Sequence, residues 1–182
     1  MLIVFTGNGK GKTSAALGVA LRSLGWNRRI LVIQFLKGYK NTGEYKSLNK
    51  IAKLLNCCIV IKQFFDDTKL SITEKSILDN PEYKKSCEEA WDFAKDIILN
   101  KKADLIILDE INNAIHYNLL NLKEFLEFIK NNKKLTQDDL DIICTGRNAS
   151  SDLIELADLV TEMKEIKHPF QKGISAKKGI DF

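Results

Sequence analysis

Residues Thr6-Gly7-Asn8-Gly9-Lys10-Gly11-Lys12-Thr13 follow a short apolar run, Leu2 to Phe5, and open an alanine-rich helical segment. A buried strand, a glycine-rich turn and a helix, in that order, make a phosphate-binding loop. Glycines let backbone N–H groups converge on phosphate oxygens, and the helix adds the positive end of its dipole. Lys12 would then reach the terminal phosphates, and the Thr13 hydroxyl would take a place on magnesium. The full pattern asks for glycine five residues before the Gly-Lys pair, where this chain has Thr6. The loop still implies a nucleoside triphosphate as ligand.

Strand and helix patterns alternate after it. Leu2 to Phe5, Arg29 to Phe35, Cys57 to Phe64, Leu105 to Leu108, Leu140 to Thr145 and Leu159 to Met163 read as six strands. Several of them are nearly continuous in apolar residues, as strands covered on both faces are. Helices are expected from Lys12 to a cap at Gly25, from about Glu44 to Leu55, from Pro81 to about Asn100, from Asn121, and over Ser151 to Leu156. Cys87, Trp91, Ala94 and Ile98 fall near helical spacing, whereas Asp66 to Asn80 is polar and irregular. Such alternation implies a mostly parallel sheet with helices on both faces and ligands at the carboxyl ends of the strands. No repeat, linker or domain boundary interrupts residues 1–182, so one α/β domain is expected.

Charge narrows the function. The net charge of +4 is mild, acids and bases are interspersed, and no basic cluster with interleaved aromatics marks a nucleic-acid surface. Lys101-Lys102 and Lys133-Lys134 sit at expected helix ends, where cations are favoured. Cys57, Cys58, Cys87 and Cys144 form no C-x-x-C pair, and Cys58 and Cys144 read as small buried hydrophobes. His116 and His168 lack ligands at zinc spacing and read as structural. No apolar run approaches the ~18 residues of a membrane span, and no signal peptide precedes the first strand. A cytoplasmic, reduced protein is expected.

Three groups fall at strand ends. Asp109 and Glu110 close an apolar strand, where a P-loop protein holds its metal or the metal's water. Adjacent acids on an extended chain point opposite ways, so only one is expected to face the metal. Arg147, in Thr145-Gly146-Arg147, either pairs with phosphate or a carboxylate of the site or is a surface arginine at a strand–helix turn. Gln34 and Lys37 enter a glycine loop and either face a polar ligand or leave the lysine solvated. No serine lies in a nucleophile elbow, so the chemistry is expected to belong to the nucleotide, its metal and a second substrate.

Taken together, Thr6 to Ala16, Gln34-Phe35-Leu36-Lys37-Gly38, Leu108-Asp109-Glu110, Thr145-Gly146-Arg147 and Lys167-His168-Pro169-Phe170 to Gly173, then Lys178-Gly179-Ile180-Asp181-Phe182, resemble the P-loop corrinoid adenosyltransferases. The likeness runs over nearly the whole chain in the same order. It implies a three-layer P-loop NTPase-like (RecA-like) fold. It implies transfer of the 5′-deoxyadenosyl group of ATP to the Co(I) of cobalamin or cobyrinic acid a,c-diamide, with release of triphosphate. By resemblance Gly7, Asn8, Gly9, Lys10, Gly11, Lys12, Thr13 and Ser14 form the nucleotide loop. Thr13 and Glu110, with Asp109, would hold Mg2+, and Lys12 and Arg147 would act on the leaving triphosphate.

The family binds its corrinoid without the lower axial ligand, helped by hydrophobic residues after the third strand. Phe64 matches the aromatic position there, Asp66 stands where tryptophan is expected, and Phe65 is the substitute. The resemblance also implies a homodimer and a flavoprotein electron donor. Because the chain begins directly at the first strand, the N-terminal lid of some relatives is expected to be lacking or otherwise supplied. A small-molecule kinase releasing ADP and a non-catalytic nucleotide switch or corrinoid carrier are the alternatives.

Overall fold

The structure, a computed structural model, describes residues 1–55, 59–65, 80–132 and 140–181. The expectations for Cys57, Cys58, residues 66–79 and the Lys133-Lys134 pair lie outside the described residues. Six parallel strands form one sheet: β1 (Leu2–Thr6), β2 (Ile30–Gln34), β3 (Ile59–Gln63), β4 (Leu105–Asp109), β5 (Asp141–Thr145) and β6 (Leu159–Glu162). Their order is β3-β2-β4-β5-β1-β6. Pairing aligns Gln34 with Asp109 and Phe5 with Thr145, so the carboxyl ends of the central strands finish together.

Helices cover both faces, because each central strand is apolar in both directions. On one face Leu2, Val4, Leu31, Ile33, Ile106, Leu108, Ile142 and Cys144 pack with buried residues of α3 (Pro81–Leu99), α4 (Ile111–His116), α5 (Leu122–Asn131) and α6 (Ser151–Leu156). On the other face Phe5, Ile30, Val32, Leu105, Ile107 and Ile143 meet Ala16 and Ala20 of α1 (Lys12–Leu24) and Leu48 of α2 (Gly43–Leu55). The result is the three-layer α/β sandwich expected of this alternation.

Local chemistry sets the helix ends. Asn80 and Asn121 accept hydrogen bonds from the amides of Glu82 and Glu124, and Ser150 accepts from Leu153. Pro81 stands at the first helical position, where its missing N–H costs nothing. Gly25 caps α1 as expected, with right-handed backbone (φ −61°), and the left-handed residue that follows is Asn27 (φ 57°). Helix α4 was not legible in the sequence. It starts directly at the end of β4 without the polar break that marks the other helices.

Candidate active site

The phosphate loop is held from behind by the exit of β6. The Gly9 amide donates to the Met163 carbonyl at 2.6 Å, and the Met163 amide donates to the Thr6 carbonyl at 2.8 Å. A Cβ on Gly7 or Gly9 would stand 2.5 or 2.6 Å from that Met163 oxygen, so neither position admits a side chain. Thr6 replaces the usual glycine at no conformational cost because it is still strand, and its hydroxyl accepts from the Ala149 amide at 3.2 Å. Gly11 caps α1 with φ 110°, a conformation open chiefly to glycine.

Lys12 curls over this loop. Its Nζ donates to the carbonyls of Gly7 and Gly9, each at 2.7 Å. Burial lowers its pKa; Glu110 opposes that shift, while Arg147 and Lys37 reinforce it. An anion arriving in the loop would therefore meet an ammonium that lacks a carboxylate partner within ion-pair distance among the described residues.

The Asp109 carboxylate is fully buried and collects four donors. Thr13 Oγ1 lies at 2.8 Å, Thr145 Oγ1 at 2.7 Å, Gln34 Nε2 at 3.1 Å and Lys37 Nζ at 2.8 Å. Burial opposes its ionisation, yet the Lys37 charge and these hydrogen bonds prevail and lower its pKa. Reciprocally, burial disfavours the Lys37 ammonium, but Asp109 and Glu110 raise its pKa above that of a free lysine. Lys37 is thus drawn into the site rather than solvated.

Glu110 corrects the expectation that adjacent acids diverge. Its backbone turns left-handed (φ 68°) as β4 ends, which ends the alternation of an extended strand. Its carboxylate returns to the cleft, with Oε1 3.6 Å from Lys37 Nζ and Oε2 accepting from Asn113 Nδ2 at 2.6 Å. Both acids therefore meet the same cation. Asn113 was not singled out by residue spacing, and Thr145, read in the sequence only as part of the Thr145-Gly146-Arg147 turn, meets Asp109 directly. Thr145 accepts from the Glu110 amide at 3.0 Å while donating to Asp109. Gly146 (φ 129°) lets α4 pack close, since a Cβ there would lie 3.0 Å from that of Asn112.

Thr13, Asp109 and Glu110 offer only hard oxygen donors. That set suits Mg2+, which favours oxygen ligands, keeps several waters and shares substrate phosphates.

Thr13, Lys37, Glu110 and Asn113 line an open cleft of about 790 Å³, and Asp109 lies buried beneath it. Asn8, Gly9, Lys10, Gly11, Lys12, Thr13 and Ser14 line it together with Lys37, Glu110 and Arg147. The C-terminal segment closes one side through His168, Gly179, Ile180 and Asp181, and Lys10 Nζ pairs with Asp181 at 2.6 Å. Phe64 and Phe65 lie apart from this cleft. Phe65 is buried and stacks on Tyr83 at 4.2 Å, while Phe64 is half-buried against Phe93 at 5.5 Å. The buried thiols of Cys87 and Cys144 are pushed up to about 12 by desolvation and are chemically quiet.

A parallel sheet, a glycine loop between β1 and α1, and acids at the end of β4 define a P-loop nucleotide-binding protein of the RecA-like kind. Solved structures agree on the fold. The flagellar accessory protein FlaH from Methanocaldococcus jannaschii superposes with a TM-score of 0.52 at 18% identity, over 88% of this chain and 69% of that one. A KaiC-like protein from Pyrococcus horikoshii gives 0.54 at 13% identity, over 91% and 73%. Residues 1–182 match the family described as ATP:corrinoid adenosyltransferase BtuR/CobO/CobP, and the chain belongs to that family. Relatives called corrinoid adenosyltransferase include one from Sinorhizobium, 38% identical over 100% of this chain and 80% of its own length. Another, from Escherichia coli K12, is 34% identical over 100% and 85%.

Proposed function

We propose that this protein transfers the 5′-deoxyadenosyl group of ATP to the Co(I) centre of a corrinoid and releases triphosphate. The observation that carries the reading is the meeting of three cations, Lys12, Lys37 and Arg147, with the phosphate loop in one cleft, in a chain of this family. Co(I) is itself a strong nucleophile, so the protein need not supply one. The cobalt electron pair attacks the 5′-carbon, a Co–C bond forms, and the C5′–O bond breaks with its electrons leaving on triphosphate.

The protein's work is then alignment and charge stabilisation. The loop of residues 8–13 wraps the phosphates, with the Gly9 amide held by Met163; Lys12 and Arg147 stabilise the leaving triphosphate, and Asn113 keeps the Glu110 carboxylate turned to the cleft. Mg2+ would be held by Thr13 and Glu110, with Asp109 behind them, and would neutralise charge on the triphosphate. The corrinoid would approach from the side of the half-buried Phe64, whose ring would favour loss of the lower axial ligand, while Phe65 is buried behind it against Tyr83. A homodimer, a flavoprotein reductant and a cytoplasmic setting complete the reading. Among the described residues no helix is long and apolar enough to cross a membrane.

Anaerobic incubation with Mg–ATP and chemically reduced cob(I)alamin tests it. Loss of the Co(I) absorbance, a light-sensitive adenosyl–cobalt product and triphosphate are expected. Formation of ADP with cobalt unchanged would make the protein a kinase, and absence of turnover would make it a switch or carrier.

A further inference from the structure

The Lys37 ammonium stands among the oxygens assigned above to the divalent ion. It lies 3.2 Å from Thr13 Oγ1, 2.8 Å from Asp109 Oδ2 and 3.6 Å from Glu110 Oε1. We propose that Lys37 is the resident cation of this site in the nucleotide-free protein, and that a divalent ion enters only together with the triphosphate. The proposal rests on the Mg–ATP reading of the site.

Charge accounting gives the reason. Asp109 and Glu110 carry two negative charges, and one of those carboxylates is fully buried. Lys37 already neutralises half of that charge. A free divalent ion would have to sit beside the ammonium, where like charges repel strongly in a partly desolvated cleft. Alternatively it would have to expel Lys37 from its two carboxylates with no anion to receive it. Mg–ATP removes both obstacles, because the metal replaces the ammonium at the carboxylates while the triphosphate supplies new partners for Lys37.

Local geometry permits the exchange. Lys37 follows a left-handed Leu36 (φ 55°), precedes Gly38, and lies in the loop after β2, outside any helix or strand. Its side chain is 27% exposed and lines the same cleft as Lys12 and Arg147. A four-carbon stem allows the ammonium to move by several bond lengths through rotamer changes alone. The residue thereby serves two states: counter-ion to Asp109 before loading, phosphate ligand after it. Nucleotide and metal binding become coupled, since neither product of the exchange is stable without the other.

Mn2+ binding followed by electron paramagnetic resonance tests this without turnover. Wild-type protein is expected to leave Mn2+ free in the absence of nucleotide and to bind it with ATP. Lys37→Met is expected to bind Mn2+ without nucleotide at least about tenfold more tightly than wild type, a difference of about 1.4 kcal/mol. Adding Glu110→Gln should remove that gain, which locates the ion. Equal nucleotide-free affinities of wild type and Lys37→Met would overturn the proposal.

Should Lys37→Met fail to fold, lysine side-chain NMR of the wild type decides. Displacement of the Lys37 ammonium resonance by Mg–ATP but not by Mg2+ alone supports the exchange, and any other pattern rejects it. Failure of wild type to bind Mn–ATP would refute the metal reading itself and the proposal with it. Binding of Mn–ATP with no gain in Lys37→Met would refute the exchange alone.

Discussion

The Gly9 amide and the Met163 carbonyl are 2.6 Å apart, so the exit of the edge strand β6 braces the phosphate loop through its backbone. A side chain at position 9 cannot coexist with it, since its Cβ would meet backbone oxygen rather than a movable side chain. Gly9→Ala is therefore expected to cost about 1–3 kcal/mol of stability, the usual range for forced overpacking. ATP affinity should fall with it, because the loop must shift to relieve the contact. Chemical denaturation and nucleotide titration of the variant check both. Gly18, where a Cβ would meet nothing within 4 Å, is the control, and Gly18→Ala should stabilise α1.

Lys12 is held by two loop carbonyls and by no carboxylate at ion-pair distance among the described residues. Lys12→Ala is expected to lower kcat by about 10²–10³-fold, the magnitude found for loss of one preorganised charge-stabilising donor. Single-turnover kinetics with preformed Co(I) measure that step directly. Activity close to wild type would remove the phosphate loop from the mechanism.

Phe64 is half-buried against Phe93 and lies on the proposed corrinoid side. Phe64→Ala should slow the reaction starting from Co(II) more than that starting from prepared Co(I), because ligand displacement matters only for reduction. Equal losses from the two starting points would reduce Phe64 to a packing role.

Acid should weaken the fold through its aspartates. The hydrogen bond from Arg29 holds Asp104 below the usual carboxylate range. At Asp141 partial burial opposes ionisation, but the N-terminal ammonium and Arg28 outweigh it. At Asp109 burial is outweighed in the same way by Lys37. In each case the folded pKa lies below the unfolded one, near 3.9. Their contribution is present above that value and is lost as pH falls through the folded pKa values. Thermal melts should thus drop steeply below about pH 4, and Asp104→Asn with Asp141→Asn should flatten the drop. An unchanged slope in the double variant would contradict the assignment.

Lys10 and Asp181 join the loop to the C-terminal segment, yet both side chains are partly exposed, at 44% and 26%. Exposed ion pairs contribute little, so Asp181→Asn should change ATP affinity by less than about threefold. Isothermal titration measures it. A much larger loss would mean that Asp181 acts on more than Lys10.

Much of the architecture was legible without coordinates, for a definite reason. Parallel strands buried on both faces must be apolar throughout, so Ile30 to Gln34 and Leu105 to Leu108 announced themselves. Gly7, Gly9, Gly11, Lys12 and Thr13 were legible because a phosphate loop packs its chemistry into consecutive residues. Helix α4 escaped because it begins at the end of a strand with a left-handed residue instead of a side-chain cap.

By itself the sequence determined the alternation of strands and helices, the phosphate loop, the acids ending β4, and the family that these motifs share. Tertiary structure alone decided who meets whom around them. Lys37, Asp109, Thr13 and Thr145 come from four separate segments, and only the sheet order and the parallel register bring them within hydrogen-bond distance. Glu110 joins them because one backbone torsion changes sign, and Met163 supports the loop from the far edge of β1. Sequence periodicity reports which face of an element is buried. It carries no record of partners that are distant along the chain, and contacts between them are what assign a charge to its counter-ion.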